Sequence, residues 1–422
     1  MALNPQSLTF ILTNHNPMTR KTRRLASMGR RRFVKYLSGI GVSAPLINNI
    51  TTDGLLSITS DPNKEVPYIR RWVHSNHEEV TNGQKPDREP IYDTISRDKW
   101  VKVESAFDGA RQLNTLLKKN FGQNTLVDAG VTKIGRNSEH AVVVNYSTLV
   151  EDTPMGTSVR ETPTPSVEMV EDLAPSKING VAGRDGEKSW TVQDIPVIVE
   201  QKERFDGGSC GDWYNTEYGD TIPAGTQIAM GNGSGGTTGS PAYAGGSLGN
   251  TMVSCAHVLN ETNRVYQPDA NVSNRDGTVV ETTKNYYDDH GYFDDNNGEH
   301  FQHKLAHNNG GTKNLQIQGT VSWQTIKNNT GNENYTVKKQ GGRTGVTQGH
   351  IKDSYNRGKR LFITAGSDRG DSGGPMYRTQ NGNVYMVGVY AWSHNGKCGS
   401  GSNSDAGGNS MDYVEDYYGI AV

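Results

Sequence analysis

The chain has 422 residues, of which 33% are hydrophobic and 21% charged, and its formal net charge at pH 7 is −2. This length suggests two or three domains, and the near-zero charge argues against a general nucleic-acid binder, because no basic excess is present to neutralise phosphates. The mean hydropathy of −0.70 and the lack of any apolar run of about 18 residues exclude a protein with several membrane spans. Three cysteines are too few for a disulfide scaffold.

Glycine is unevenly distributed along the chain. Of the 50 glycines, 13 lie in residues 1–206 and 37 in residues 207–422. They follow no Gly-X-Y period, so the sequence is not that of a collagen. Glycine-dense, turn-rich sequence that also carries Val, Ile, Tyr and Trp is typical of an all-β domain built from short strands. We therefore expect a domain boundary near residue 207.

The first 47 residues contain a basic cluster followed by a short apolar run. Residues 30–35 are Arg-Arg-Arg-Phe-Val-Lys, and the stretch from Tyr36 to Ile47 is apolar but interrupted by Gly, Ser and Pro. Paired arginines before a weakly hydrophobic run resemble a twin-arginine export signal, which implies a secreted, extracellular protein. The run is too short to span a membrane, so we expect no stable membrane insertion. A basic amphipathic helix is the alternative interpretation.

Residues 48–95 are polar and punctuated by proline, which favours a linker. Apolar residues then recur at helical spacing from Trp100 to Phe121, and Gly122 ends the pattern. This order of elements suits a small two-layer α/β domain over residues 96–206, either a pro-region that assists folding or an appended domain. The further elements predicted in it are a strand from Leu126 to Ile134, a strand from His140 to Ser147, a helix from Ser166 to Leu173 and a strand from Ile195 to Glu200.

Residues 370–375, Gly-Asp-Ser-Gly-Gly-Pro, are the strongest candidate for a chemical function. Ser372 is the candidate nucleophile, since its hydroxyl needs only a base to become reactive. The amides of Gly370 and Ser372 converge on an oxyanion if the turn is tight, and glycine adopts the backbone angles that such a turn needs. Gly373 and Gly374 let a substrate main chain approach closely. The string therefore favours a nucleophile turn over a glycine-rich surface turn.

The candidate general base is His257. It lies in the segment Ser-Cys-Ala-His-Val, at the end of a predicted strand and upstream of the candidate nucleophile. The chain has 11 histidines, and an isolated histidine is usually structural or lies on the surface. The position directly after a strand favours His257 over His290, His300 and His303.

A carboxylate is needed to orient this base. Asp289 begins the segment Asp-His-Gly-Tyr-Phe, in which a small residue is followed by two large apolar ones. That pattern places the aspartate at the entrance of a strand with its side chain turned inward. Asp288, Asp294 and Asp295 stay open as alternatives, because a triad is defined by geometry rather than by spacing.

The order His257, Asp289, Ser372 with Gly-Asp-Ser-Gly-Gly-Pro resembles the chymotrypsin-like (trypsin-like) serine proteases, and most of all the bacterial branch with α-lytic protease and the streptogrisins. The resemblance covers residues 207–422. It implies a mainly β fold of two antiparallel six-stranded β-barrels, preceded here by the small α/β domain. It also implies a serine-type endopeptidase that cleaves protein or peptide substrates through an acyl-enzyme, as a monomer, with no cofactor and no metal.

A second match lies at residues 342–349, Gly-Arg-Thr-Gly-Val-Thr-Gln-Gly. It resembles the Gly-Arg-Thr-Thr-Gly stretch of the same branch, in which the arginine pairs with the carboxylate just before the nucleophile. The resemblance thus implies a structural ion pair between Arg343 and Asp371 that holds the oxyanion turn in place. A buried aspartate does need such a partner. A surface arginine in a hairpin is the alternative.

Residues 387–393, Val-Gly-Val-Tyr-Ala-Trp-Ser, resemble the strand that pairs with the substrate main chain in the family. No acidic residue aligns with the base of the specificity pocket, which argues against Lys/Arg specificity, but a shift of two positions would place Asp368 there. The substrate-binding residues implied by the resemblance are Ala391, Trp392 and Ser393 on the strand and Gly366 and Ser367 in the pocket.

Some positions depart from the family pattern. Ala391 stands where the family usually has a serine that supports the triad aspartate. Cys255 and Cys398 lack the neighbouring cysteine partners of the family, and the sequence leaves open whether Cys210 bridges either of them. A protease-fold protein that binds peptides without cleaving them is therefore the alternative function.

Overall fold

The computed structural model of the chain describes residues 64–422, apart from gaps at residues 82–83, 123–126, 136–138, 147–164, 184–188, 202–210, 212, 219–220, 246–247, 271–276, 286, 296–299, 309 and 395–404. The predicted export signal, Cys210, Cys398 and the predicted boundary near residue 207 lie outside the described residues. None of the described helices is both long and apolar enough to cross a membrane.

The N-terminal part of the structure packs helices against a sheet. Phe107, Leu113 and Leu117 of the long helix are buried against apolar strand residues, and the helix ends at Gly122, whose φ of 88° favours glycine. The elements predicted between residues 96 and 206 are confirmed, and one further strand, β5, joins them. All the elements of the N-terminal part are β1 (Glu65–His74), α1 (His77–Thr81), β2 (Arg88–Ser96), α2 (Arg97–Phe121), β3 (Val127–Ile134), β4 (Glu139–Tyr146), α3 (Val167–Leu173), β5 (Lys177–Ala182) and β6 (Trp190–Gln201).

The middle of the chain forms a seven-stranded antiparallel sheet in the order β10-β11-β14-β13-β12-β8-β9. Among the described strands, β9 and β10 at its two edges do not pair with each other. The sheet therefore forms an open half-barrel of seven strands, where the sequence predicted a closed barrel of six. Its buried residues include Met252, Val253 and Phe293. The elements of this region are β7 (Thr221–Ala224), β8 (Gln227–Met230), β9 (Gly235–Thr237), β10 (Pro241–Gly245), β11 (Gly249–Ser254), α4 (Ala256–Leu259), β12 (Arg264–Tyr266), β13 (Gly277–Lys284), β14 (Asp289–Asp295) and β15 (His300–Ala306). Two of them, β7 and β15, pair with each other and belong to the other sheet.

The C-terminal part contains a closed antiparallel barrel of six strands. The strands pair in the cycle β17-β18-β19-β22-β21-β20 and back to β17, which confirms the second expected barrel. Its interior is apolar, with Val337, Ile351 and Leu361 buried. The elements are β16 (Thr312–Val321), α5 (Trp323–Asn329), β17 (Thr336–Gly341), β18 (Gly345–Tyr355), β19 (Arg360–Ile363), β20 (Pro375–Gln380), β21 (Asn383–His394), β22 (Asp405–Ser410) and α6 (Met411–Tyr418).

Residues 65–95 are not the linker that their composition suggested. β1 and β2 form an antiparallel hairpin, and β1 also pairs with β16, with Trp72 opposite Thr320. The polar side chains that obscured the pattern have distant partners: Arg71 donates a 2.7 Å hydrogen bond to Gln380 Oε1 and lies over the ring of Tyr385. Because these partners are remote in sequence, local composition gave no sign of them.

Candidate functional site

His257 and Asp289 come together because β11 and β14 are neighbours in the seven-stranded sheet. Ser254 at the end of β11 pairs with Gly291 near the start of β14, so the short helix after β11 lies beside the first residue of β14. His257 Nδ1 lies 2.7 Å from Asp289 Oδ2, and the main-chain N–H of His257 donates to Asp289 Oδ1 at 2.8 Å. Oδ2 therefore orients the imidazole, while Oδ1 fixes the carboxylate to the His257 main chain, which leaves Nε2 to act on a substrate or nucleophile.

The other candidate acids bond elsewhere. Asp288 accepts a 2.9 Å hydrogen bond from Asn285 Nδ2, and Asp294 accepts one of 3.2 Å from the main chain of Thr278. Within the described part of the chain, His257 makes no hydrogen bond or ion pair with Asp288, Asp294 or Asp295. The geometry thus selects Asp289 from the four aspartates.

Asn409 anchors the aspartate to the closed barrel, a role that the sequence analysis missed. The main-chain N–H of Asp289 donates to Asn409 Oδ1 at 3.0 Å. Asn409 Nδ2 in turn donates to the carbonyl oxygens of Tyr287 and Gly358, at 2.9 and 2.8 Å. Asn409 is fully buried on β22, so it connects the strand that bears the aspartate to the other half of the site.

Burial and charge act in opposite directions on this pair. Burial disfavours the imidazolium, but the carboxylate of Asp289 outweighs it and raises the pKa of His257 above its usual 6.5. Burial acts to raise the pKa of Asp289, but the charge and hydrogen bonds of His257 lower it. Asp289 therefore stays ionised, and His257 takes up a proton readily.

The Ser372 turn packs directly against the segment that carries His257. The carbonyl oxygen of Ser372 accepts a 2.8 Å hydrogen bond from the N–H of Thr237. Gly373 has a φ of 94°, and a Cβ at this position would collide with Ser254 Oγ and the Thr237 carbonyl. Only glycine fits here, which explains its place directly after the serine in the sequence.

The two predicted oxyanion amides are available as donors. Gly370 has a φ of 89°, a backbone conformation that favours glycine over residues with a side chain. Among the described residues, no acceptor is bound to the N–H of Gly370 or of Ser372. Two such N–H groups next to a hydroxyl fit the stabilisation of a developing negative charge.

Ser372 and His257 are not hydrogen-bonded to each other in the part of the chain that the structure describes. The atom in contact with His257 Nε2 is Cys255 Sγ, at 3.8 Å, and Cys255 is a buried, free thiol. Catalytic hydrogen bonds are often long or misaligned until a substrate is bound. Ser372 is half-buried, so part of the residue is accessible to solvent.

Cys255, His257 and Asp289 also form a group whose potential metal-ligand atoms lie within 4.8 Å of one another. His257 uses Nδ1 and its main-chain N–H to bind both carboxylate oxygens of Asp289, so these atoms are already engaged with each other. The arrangement fits a charge-oriented imidazole better than a metal centre.

The cation found against Asp371 is Lys339, which the sequence analysis did not predict. Lys339 Nζ lies 2.6 Å from Asp371 Oδ2, and both side chains are fully buried. Burial acts to raise the pKa of Asp371, and the charge of Lys339 lowers it below its usual value. Thr344 Oγ1 adds a 2.6 Å hydrogen bond, whereas Arg343, the predicted ion-pair partner, reaches the carboxylate through its main-chain N–H at 2.9 Å.

The predicted substrate strand runs beside the nucleophile turn. The N–H of Gly373 donates to the carbonyl of Tyr390, and the N–H of Tyr390 donates to the carbonyl of Gly374. The pairing of β21 with β20 ends at Val389, whereas its pairing with β22 continues to His394. In the described structure, residues 391–393 therefore have a β-strand neighbour on one side only.

The remaining predicted substrate residues lie around this edge. Ala391 and Ser393 are buried, and Trp392 is half-buried with its ring 6.4 Å from that of Phe362. Ser367 is buried, and the carbonyl oxygen of Gly366 accepts a 2.7 Å hydrogen bond from Thr347 Oγ1.

The strand pattern around Lys339 indicates that its side chain is buried. It stands two residues after Val337 on β17, and alternate residues of a strand point to the same face. Val337 belongs to the barrel core, so the lysine also points inward. A lysine on an inward face is rare and needs a buried anion, which Asp371 supplies. No comparable sign identifies Asn409.

Comparisons with known proteins give structural similarity at low sequence identity. Neither protein-family models nor curated protein sequences match this chain. A glutamic acid specific serine protease that utilizes a histidine triad in substrate binding is 19% identical, with a TM-score of 0.37, and the match covers 48% of this chain and 100% of that one. Thermobifida fusca protease A is 21% identical, with a TM-score of 0.37, and the match covers 48% and 97%. A Cellulomonas bogoriensis chymotrypsin is 17% identical, with a TM-score of 0.36, and the match covers 48% and 98%.

Proposed function

We propose that this protein is a serine endopeptidase in which Ser372 is the nucleophile, His257 the general base and Asp289 the orienting acid. The observation that carries the proposal is that both carboxylate oxygens of Asp289 accept hydrogen bonds from His257. Beside this pair lies a turn with the Ser372 hydroxyl and two main-chain N–H groups that bind no acceptor among the described residues. Histidine held in this way is the arrangement that activates a serine.

The mechanism follows from these positions. His257 Nε2 accepts the proton of Ser372 Oγ as the oxygen attacks the carbonyl carbon of a peptide bond. The tetrahedral oxyanion is stabilised by the N–H groups of Gly370 and Ser372. His257 then donates the proton to the leaving amine, and the acyl-enzyme is hydrolysed by a water that His257 activates in the same way. Asp289 remains ionised throughout and fixes the tautomer of His257.

We also propose how the substrate lies. Near the turn, residues 391–393 of β21 pair with β22 on one side, and none of the described strands pairs with them on the other side. An extended peptide adds to such an edge by main-chain hydrogen bonds, with its side chain directed toward Gly366 and Ser367. The acyl part of the substrate therefore lies along β21.

Export through the twin-arginine motif and activity as a secreted monomer are part of the proposal, and their support is the sequence of residues 30–47. For residues 96–206 we propose a role in folding. In support, Val131 of β3 pairs with Ser354 of the barrel strand β18. Expression of residues 207–422 alone should then give little folded protein, and a stable, active product would argue for an appended domain instead.

The experiment that tests the activity is hydrolysis of a library of unstructured peptides by the purified full chain, followed by mass spectrometry. We expect internal cleavage by the wild type and none by Ser372→Ala. Cys255→Ser is the matched control, because Cys255 also contacts His257, and this variant should still cleave. Cleavage that persists in Ser372→Ala would overturn the proposal.

A protein that binds peptides without cleaving them is the second candidate. The observation in its favour is that His257 Nε2 contacts Cys255 Sγ and makes no hydrogen bond with Ser372 within the described structure. The two candidates differ in one result: a non-cleaving binder retains peptides intact in the wild type and in Ser372→Ala alike.

A further inference from the structure

A small cavity beside the oxyanion turn is lined by two arginines. It has a volume of about 220 Å³. Two of its lining residues are charged. Arg343 lies in the turn between β17 and β18, and Arg369 directly precedes Gly370. The described residues that line it are Gln227, Gly235, Gly236, Arg343, Arg369 and Gly370.

The cavity adjoins the reacting centre. A Cβ placed on Gly370 would lie 2.9 Å from Arg343 Cγ and 3.2 Å from Arg343 Nε, so the arginine side chain passes directly over the glycine whose N–H faces the oxyanion. The carbonyl oxygen of Gly370 accepts a 2.7 Å hydrogen bond from Thr237 Oγ1. Thr237 follows Gly236 on β9, which fixes this wall of the cavity against the turn.

The cavity lies on the leaving-group side of the scissile bond. The nucleophile turn has β21 as one neighbour, through the hydrogen bonds between Gly373 and Tyr390, and β9 as the other, through Thr237 and Ser372. The acyl part of a substrate is assigned to β21, and none of the described lining residues belongs to β21. A peptide that continues past Ser372 therefore enters the space between β9 and the two arginines.

Two acidic residues near the arginines already have partners of their own. Asp371 is already neutralised by Lys339, and Asp368 is buried and accepts the main-chain N–H of Arg369. A guanidinium carries several N–H donors, so it binds a ligand carboxylate in addition to any partner within the protein.

Gln227 adds a polar side chain to the lining of the cavity. The side-chain oxygen of Gln227 is buried and has no hydrogen-bond partner among the described residues. The two ends of an amide are interchangeable by rotation, so the same side chain can present its NH2 group as a donor. Two guanidinium groups and an amide form a donor set suited to a carboxylate.

We propose that this cavity binds an aspartate or glutamate side chain at the first or second position after the scissile bond. The inference rests on the proposed peptidase function and adds a preference on the leaving-group side. Arg369 and Arg343 form charge-assisted hydrogen bonds with the carboxylate, and Gln227 completes its coordination. A neutral isostere, asparagine or glutamine, loses the charge and part of the hydrogen bonding.

The test uses peptides that differ only by Asp against Asn, or Glu against Gln, at those two positions. Their affinities are measured by calorimetry on full-length Ser372→Ala, which requires no catalysis, and their kcat/KM values on the wild type. We expect the acidic peptide of the better pair to be favoured by about tenfold or more in both measurements.

Variants then assign the preference to the cavity. In Arg369→Gln, and in Arg343→Gln as a second variant, the ratio between the acidic and the neutral peptide should fall to about threefold or less. The ratio is taken within each variant, so a general loss of activity or stability cancels. Lys359→Gln is the matched control, since it removes one positive charge at the surface outside the cavity, and it should keep the wild-type ratio.

The outcomes separate the two proposals. Equal affinity for acidic and neutral peptides, or a preference that survives in both arginine variants, overturns the subsite. Absence of cleavage with a preserved preference in the binding experiment overturns the peptidase function and leaves the subsite standing.

Discussion

The two halves of the candidate site each contain a buried carboxylate with a cationic partner, but the two pairs differ in their contact with solvent. In the seven-stranded sheet, the His257 side chain that faces Asp289 is 26% exposed. In the closed barrel, Lys339 and Asp371 are both fully buried. One pair can exchange a proton with solvent or substrate, and the other cannot.

Under the proposed mechanism, this difference distinguishes a pair that acts in the reaction from a pair that supports the turn. A partly exposed histidine with a raised pKa can take up and release a proton during a reaction. A pair sealed inside a barrel stays in one charge state and fixes the geometry of the turn between β19 and β20, because separating it would leave an isolated buried charge. The turn that carries Ser372 is thus held from inside the barrel, and the proposed base, His257, comes from the more open sheet.

The largest expected effect comes from the pair that acts. Asp289→Asn keeps the size of the side chain but removes the charge that orients His257 and stabilises the imidazolium. We expect kcat to fall by about 10⁴, with little change in the melting temperature. Kinetics with circular dichroism as a check on folding measures this, and Asp294→Asn is the matched control. Near-normal kcat in Asp289→Asn would mean that another group orients the histidine.

The next effect comes from the pair that supports. Lys339→Met leaves the Asp371 carboxylate buried without its cation, so we expect a loss of about 3–5 kcal/mol in the free energy of unfolding. Activity should fall with it, because the oxyanion turn loses its anchor. Lys338→Met is the matched control on the same strand, where the side chain is half-buried, and denaturant unfolding should give a change below about 0.5 kcal/mol. Equal stabilities of the two variants would contradict the supporting role.

A smaller effect is expected at the residue that joins the halves. Asn409→Ala removes the acceptor for the Asp289 N–H and two donors to buried carbonyl oxygens. We expect unfolding to become easier by about 1–3 kcal/mol. Because Asn409 positions the acid, the pH at which activity falls should also shift. Asn409→Asp keeps the acceptor oxygen and should recover part of the activity. If Asn409→Ala changed the stability and left the pH profile of the activity unchanged, Asn409 would have a structural role only.

The smallest effect is a shift in pH dependence. Only neutral His257 accepts a proton, and Asp289 raises its pKa above 6.5, so kcat/KM should decline as the pH falls through a value above 6.5. In Asp289→Asn the residual activity should decline at lower pH. The profile is taken over about pH 5 to 10. A wild-type decline that begins only below pH 6.5 would contradict the raised pKa.

Acid instability must be separated from this effect. Burial lowers the pKa of His74 to about 4 and that of His303 to about 3. The unfolded chain binds these protons at higher pH than the folded one, so stability is full above about pH 6.5 and is lost as the pH falls toward those values. Folding is therefore monitored by circular dichroism at each pH.

The features predictable from the sequence were those set by local chemistry. The glycines around Ser372 mark a turn that excludes side chains, and Gly373 does exclude one. The helix at Arg97–Phe121 followed from its apolar spacing and from Gly122 at its end. The position of His257 directly after a strand was also predicted from the sequence. Each inference used a short stretch of chain, in which the residues that determine the structure are neighbours.

The features that escaped prediction depend on partners far apart in the sequence. The hairpin at residues 65–96 looked like a linker because its arginines find their partners only in the folded barrel. Lys339 is separated by 32 residues from Asp371, and Asn409 by 120 from Asp289. The seven-stranded sheet, which the described strands leave open, likewise reflects pairing between distant strands.

The central claim, that Ser372 is the nucleophile activated by His257, is tested most directly by labelling with a fluorophosphonate and mapping the adduct by mass spectrometry. We expect one adduct per wild-type chain, located on Ser372. We also expect no adduct in Ser372→Ala and a strongly slowed reaction in His257→Ala, while Cys255→Ser is labelled normally. A wild-type chain that stays unlabelled while folded, or an adduct on another residue, would contradict it.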